Sequence, residues 1–202
     1  MTKIKICGLF QSQDMDYINE AQPDWCGFIL NFPKSHRNVT VERLRALRAR
    51  LAQGVTPVGV FVDQPVETVA ALLGEGLISI AQLHGHEDAT YIAALRALAP
   101  GKPIWRAFQV RGAADAREAE DCPADLVVLD GGQGAGQVFD WSLIREIRRP
   151  FLLAGGLTPE NIPQAVQALH PYGVDLSSGV ETDRQKDRSK ILAAVAAARK
   201  EG

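Results

Sequence analysis

Short runs of apolar, often β-branched residues alternate along this chain with longer stretches whose apolar positions recur at helical spacing. The runs predict strands at 4–7, 25–30, 57–62, 78–83, 104–108, 126–129, 151–154 and 174–177. The stretches between them predict helices at 14–21, 41–51, 66–73, 89–98, 113–120, 141–147, 159–169 and 187–200. Start signals support several helices: Thr40 ahead of Glu42, Asp140 ahead of Trp141, and Thr158 followed by Pro159 and Glu160. Runs that are apolar throughout, GVFV at 59–62 and FLLA at 151–154, read as strands buried on both faces, as a parallel sheet requires. Eight βα units of about 25 residues each predict an α/β fold, a (β/α)8 TIM barrel, as a single compact domain over residues 1–202. An open doubly wound sheet shares the alternation. It commonly carries a G-x-G-x-x-G loop after its first strand, whereas here that strand ends in Cys7-Gly8-Leu9.

Composition narrows the setting. The 202 residues are 46% apolar, enough for one sizeable core. A net charge of −2 without a basic cluster argues against nucleic acid or an anionic membrane as partner. The apolar run behind Lys3 and Lys5 is too short for a signal peptide, and no segment approaches the ~18 apolar residues of a membrane span. Cys7, Cys26 and Cys122 are odd in number and lack C-x-x-C spacing, against both a metal knuckle and a disulfide framework; a reducing cytoplasm is expected. The only glycine-rich stretch, 131–136, reads as one loop.

Candidate chemistry sits at the strand exits. KIKICG puts Cys7 at the end of the first strand and VVLDGG puts Asp130 at the end of the sixth, a thiol and a carboxyl suited to an acid/base pair. A barrel of this kind commonly binds phosphate between the loops after its seventh and eighth strands. Those loops read LAGGL at 153–157 and DLSSGVE at 175–181. Gly155, Gly156 and Gly179 allow backbone N–H groups to approach an anion, with Ser177 and Ser178 adding hydroxyls. Taken singly, Cys7 reads as an inert core thiol, Asp130 as a helix cap and Arg37 as a solvated loop charge.

The ordered set KICG (5–8), FPKSHR (32–37), GVFV (59–62), QLHG (82–85), VVLD (127–130), GQVFDW (136–141), LAGGL (153–157) and SSGVE (177–181) closely resembles the phosphoribosylanthranilate isomerase family of tryptophan biosynthesis, end to end. The resemblance implies an Amadori rearrangement of a small phosphosugar substrate, free of metal and cofactor. Asp130 aligns with the family's general acid, Cys7 with its general base, and Arg37 with the arginine that holds the anthranilate carboxylate through two parallel hydrogen bonds. The acid role asks Asp130 to hold a proton near neutral pH, and the base role asks Cys7 to lose one, with Lys5 alternating onto the same strand face. Gln82 and His84 alternate toward the same end of the barrel, and Asp175 precedes the phosphate loop, where it orients that loop, holds a sugar hydroxyl or serves structure alone. His36 replaces the proline of the family's frequent S-P-R, and the loop after Asp130 is one residue shorter than usual. Monomer and homodimer stay open. Competing readings are the histidine-pathway isomerase, which has an aspartate in place of Cys7, a phosphosugar-binding barrel without chemistry, and a thiol sensor pairing Cys7 with Cys26.

Overall fold

The computed structural model describes residues 1–131, 141–145 and 147–200. Eight parallel strands form it: β1 (Lys3–Ile6), β2 (Trp25–Leu30), β3 (Thr56–Phe61), β4 (Ile80–Leu83), β5 (Ile104–Gln109), β6 (Leu126–Asp130), β7 (Phe151–Ala154) and β8 (Gly173–Leu176). Each strand pairs with its neighbours in order, and β1 pairs with both β2 and β8, so the sheet closes into the predicted barrel. Around it lie α1 (Ser12–Ala21), α2 (Val41–Arg48), α3 (Val66–Gly74), α4 (Ala89–Leu98), α5 (Ala113–Asp121), α6 (Ile162–Leu169) and α7 (Arg188–Lys200).

Strand alternation divides the core in two. One set of side chains, including Ile4, Ile6, Cys26, Phe28 and Leu30, packs outward against the helices. The other fills the barrel with Val58, Ile80, Trp105, Leu126, Val128 and Leu152. Trp25 and Trp105 meet edge to face, with centroids 5.1 Å apart, at the amino-terminal ends of β2 and β5. This plug leaves only the carboxyl end of the barrel interior to hold a ligand. Cys26 belongs to the outer layer while Cys7 faces the interior, so the two thiols lie on opposite sides of the sheet and both are free. The pairing that a thiol sensor would use is not formed.

Three local expectations change. The predicted helix at 141–147 is one 3-10 turn, Trp141–Ile144, continued by i to i+3 bonds from the Arg145 and Ile147 amides to the Ser142 and Ile144 carbonyls. Only a few residues separate it from β7, and Pro150 stands between, so a full α-helix has no room to propagate. The helix expected to begin at Thr158-Pro159 begins at Ile162 instead. Asn161 Oδ1 accepts from the Thr158 amide at 2.8 Å, and Pro163 sits in the first turn, where a missing N–H costs little. The helix expected over 41–51 stops at Arg48, while its Thr40 cap accepts from the Arg43 amide at 3.2 Å as predicted. The Asp140 start signal and all of the glycine-rich loop beyond Gly131 lie outside the described residues. A short strand, Asn38–Val39, and a hairpin of Glu181–Thr182 with Gln185–Lys186 went unforeseen from the sequence.

Candidate active site

The carboxyl ends of the strands surround a cavity of about 350 Å³. Every residue singled out from the sequence lines it: Cys7, Arg37, Gln82, His84, Asp130, Gly155, Gly156, Asp175, Ser177, Ser178 and Gly179. Gln109 lines it too and was missed; it follows Trp105 and Ala107 on the inward face of β5, so strand phase alone could have found it.

Cys7 leaves β1 with its amide donating to the Leu176 carbonyl at 2.8 Å, and its thiol is almost fully buried. Beneath it Lys5, with 0% of its side chain exposed, donates to Asp175 Oδ2 at 2.7 Å. A methyl group on Gly27 would stand 2.8 Å from Cys7 Sγ and 3.1 Å from Lys5 Nζ. The absence of a side chain there on β2 is what lets thiol and ammonium lie over one spot. Burial works to lower the Lys5 ammonium, but Asp175 and Cys7 raise it to about 12, so it stays charged. Burial also pushes the Cys7 thiol up; Lys5 pulls it back down and Asp175 adds to the rise. Near neutral pH Cys7 therefore rests as a thiol, with a fixed cation beside it to favour the thiolate.

Two buried acceptors in the cavity wall, Gln82 Oε1 and Asp175 Oδ1, have no donor among the described residues. Such atoms suit hydroxyl donors of a bound sugar. His84 is held below its ordinary range by burial, with the Asp130 charge opposing the shift. The Asp130 carboxylate packs against the exit of β7, where a methyl group on Gly155 would stand 2.7 Å from its Oδ1.

The two glycine loops expected to take phosphate lie side by side at the cavity. Gly155 and Gly156 take φ values of +88° and +67°, open to glycine at no steric cost. A Cβ on Gly179 would collide with the Leu157 carbonyl oxygen, so the loops after β7 and β8 touch through backbone. The Gly179→Ala protein is expected to lose at least about tenfold in affinity for inorganic phosphate, measured by calorimetry, because the loops must separate. Unchanged affinity would remove this junction from the anion site.

Similarity to known proteins extends over nearly the whole chain. The family described as "N-(5'phosphoribosyl)anthranilate (PRA) isomerase" matches residues 4–197. An N-(5'-phosphoribosyl)anthranilate isomerase from Endomicrobium trichonymphae is 40% identical over 200 residues, covering 96% of this chain and 97% of its own. The phosphoribosyl anthranilate isomerase of Thermus thermophilus superposes with a TM-score of 0.84 at 34% identity, over 98% of this chain and 99% of its own. A further phosphoribosyl anthranilate isomerase, solved in complex with reduced 1-(o-carboxyphenylamino)-1-deoxyribulose 5-phosphate, superposes at 0.86 with 31% identity, over 99% and 100%. With matches over nearly its whole length, and with glycine loops, a thiol and a carboxyl at the strand exits around one cavity, this chain belongs to the N-(5'-phosphoribosyl)anthranilate isomerase family.

Proposed function

We propose that the protein converts N-(5'-phosphoribosyl)anthranilate to 1-(2-carboxyphenylamino)-1-deoxyribulose 5-phosphate in tryptophan biosynthesis, acting as an aldose-ketose isomerase with Asp130 as acid and Cys7 as base. The observation that carries this reading is that both groups, from β6 and β1, enter one cavity whose wall between them is the phosphate cradle of β7 and β8. Asp130 donates its proton to the furanose ring oxygen as the C1'–O bond breaks and the anilino nitrogen lone pair forms the imine. The Cys7 thiolate then removes the C2' proton, and the electron pair shifts toward nitrogen to give the enolamine, which tautomerises to the ketose. Proton transfers alone complete the sequence, so the reaction draws on no oxidant or metal.

Lys5 stabilises the thiolate and is itself held by Asp175. Arg37 receives the anthranilate carboxylate, while Gly155, Gly156, Ser177, Ser178 and Gly179 hold the phosphate. Gln82 and Asp175 accept from the sugar hydroxyls, and His84 stands beside the acid. Loss of anthranilate-type fluorescence on adding freshly made substrate, corrected for spontaneous hydrolysis, tests the activity. A folded protein that causes no conversion would leave a phosphosugar-binding barrel in place of an enzyme. Replacing Arg37 by alanine is expected to weaken a carboxylate-bearing product analogue by about tenfold to a hundredfold while leaving inorganic phosphate within about twofold, both by calorimetry. Equal losses for the two ligands would deny Arg37 its role. Three free cysteines suit a reducing compartment, here the cytoplasm, and the chain acts as a monomer or homodimer; the enzyme of Thermotoga maritima is described as dimeric.

A further inference from the structure

Arg37 does not stand alone in the cavity wall. Its Nε donates to Glu181 Oε1 at 2.7 Å and its Nη2 to Glu181 Oε2 at 2.6 Å, the two-point geometry in which a guanidinium holds a carboxylate. Glu181 is held from behind. Lys186 Nζ, with 0% of its side chain exposed, donates to Glu181 Oε1 at 2.7 Å and to the Ser177 carbonyl at 2.9 Å. Glu181 and Lys186 are cross-strand partners in the hairpin that follows β8. Its two turn residues, Asp183 and Arg184, take φ of 50° and 62°, the left-handed pair that a two-residue loop of this twist requires. On its other side the Arg37 stem lies across Gly8, where a Cβ would collide with Arg37 Cδ.

We propose that Glu181 is a positioning residue for carboxylate recognition: it occupies the Nε/Nη2 edge of Arg37 and so presents the Nη1/Nη2 edge to the anthranilate carboxylate. This deepens the proposed function and rests on Arg37 receiving that group. A guanidinium carries five N–H donors, and Glu181 uses two of them, so a second two-point contact remains. An acidic residue beside an anion site would ordinarily repel the ligand. Here Lys186 offsets it, and the trio of Arg37, Glu181 and Lys186 keeps a net charge of +1 toward the cavity. Without Glu181 the two cations would repel each other, and Arg37 would have to give up its rotamer freedom on each binding event. Burial works to raise the Glu181 carboxyl, yet Arg37 and Lys186 hold it down at about 2, so the lock is charged at any pH near neutrality. The same hairpin leads directly from the phosphate loop. One short segment, Ser177 to Lys186, thus carries both the loop assigned to the phosphate and the carboxylate that holds Arg37.

The test is the isosteric Glu181→Gln protein, compared with Arg37→Ala and the double variant, by steady-state kinetics and calorimetry. KM and the dissociation constant of the reduced product analogue are expected to rise about tenfold, with kcat and inorganic phosphate affinity within about twofold. In the Arg37→Ala background the Glu181→Gln change is expected to add nothing. Tighter binding of the analogue would make Glu181 a competitor of the substrate and overturn the proposal. An equal loss of phosphate affinity would overturn it in favour of simple loop support. Should Glu181→Gln unfold, Glu181→Asp keeps the charge but draws it back from two-point reach, and the same rise in KM is expected. The Arg37→Ala arm alone reports on the underlying assignment: unchanged analogue affinity there would sink both, whereas a loss there without one in Glu181→Gln sinks only the lock.

Discussion

Asp130→Asn is expected to lower kcat by about 10² to 10⁴ while leaving KM near its original value, the signature of a group whose contribution is confined to the transition state. Asparagine has nearly the same shape, so the packing of this side chain against the β7 exit at Gly155 is preserved. What disappears is the transferable proton, because an amide cannot protonate a departing ring oxygen. His84 is the adjacent titratable group, and it offers no rescue. Burial already holds its imidazole below the ordinary range. A neutral imidazole has no spare proton for a departing ring oxygen, so it is no substitute acid. Rapid fluorescence assays on both proteins decide the matter, and a kcat near that of the parent would remove Asp130 from the mechanism.

A second large effect is expected at Cys7. Cys7→Ala leaves the phosphate cradle and Arg37 untouched but takes away the base, and kcat is expected to fall by about 10² to 10⁴. In the parent protein the thiol is pushed above its ordinary value of 9.0 by burial, with Lys5 opposing. The sign of the pH dependence follows. The thiolate gains population as pH rises, so alkylation of Cys7 by iodoacetamide should speed up through neutral and mildly alkaline pH and level off only above the ordinary thiol range. Cys7→Ser should lose this limb altogether, since a hydroxyl does not ionise there. Alkylation that stays flat over this range would show that the thiol is not raised, and a serine variant with parental activity would end the assignment of Cys7 as base. The buried ammonium of Lys5, raised to about 12, keeps its charge throughout the climb and cannot itself produce the limb.

Much of this protein is written locally. Alternation of period 2 and helical spacing mark the strands and helices because each side chain's burial depends on its phase within its own element. β2, α4 and β7 therefore begin and end where the pattern puts them. Eight such units leave a closed barrel as their simplest arrangement, and barrel logic sends Cys7, Asp130, His84 and the glycine loops to one end before any contact is known. Gln109 was legible on the same ground and was overlooked for want of a motif.

Elements whose limits depend on their neighbours were less legible. The Trp141–Ile144 turn is short because β7 follows so closely, and α6 starts only at Ile162 because residues 158–161 close a turn of their own, with the Asn161 and Ile162 amides both donating to the Thr158 carbonyl. Legible in the sequence were the fold class, the strand ends at which the candidate residues gather, the two glycine loops and the residue types brought together there. What surrounds those residues follows from long-range pairing: Lys5 meets Asp175 across 170 positions of chain, and Arg37 meets Glu181 across 144. Those partnerships arise when β1 pairs with β8 and closes the ring. Local pattern carries each strand's phase but not the register and closure that bring distant side chains together, and the charge state of every buried group is set by those neighbours.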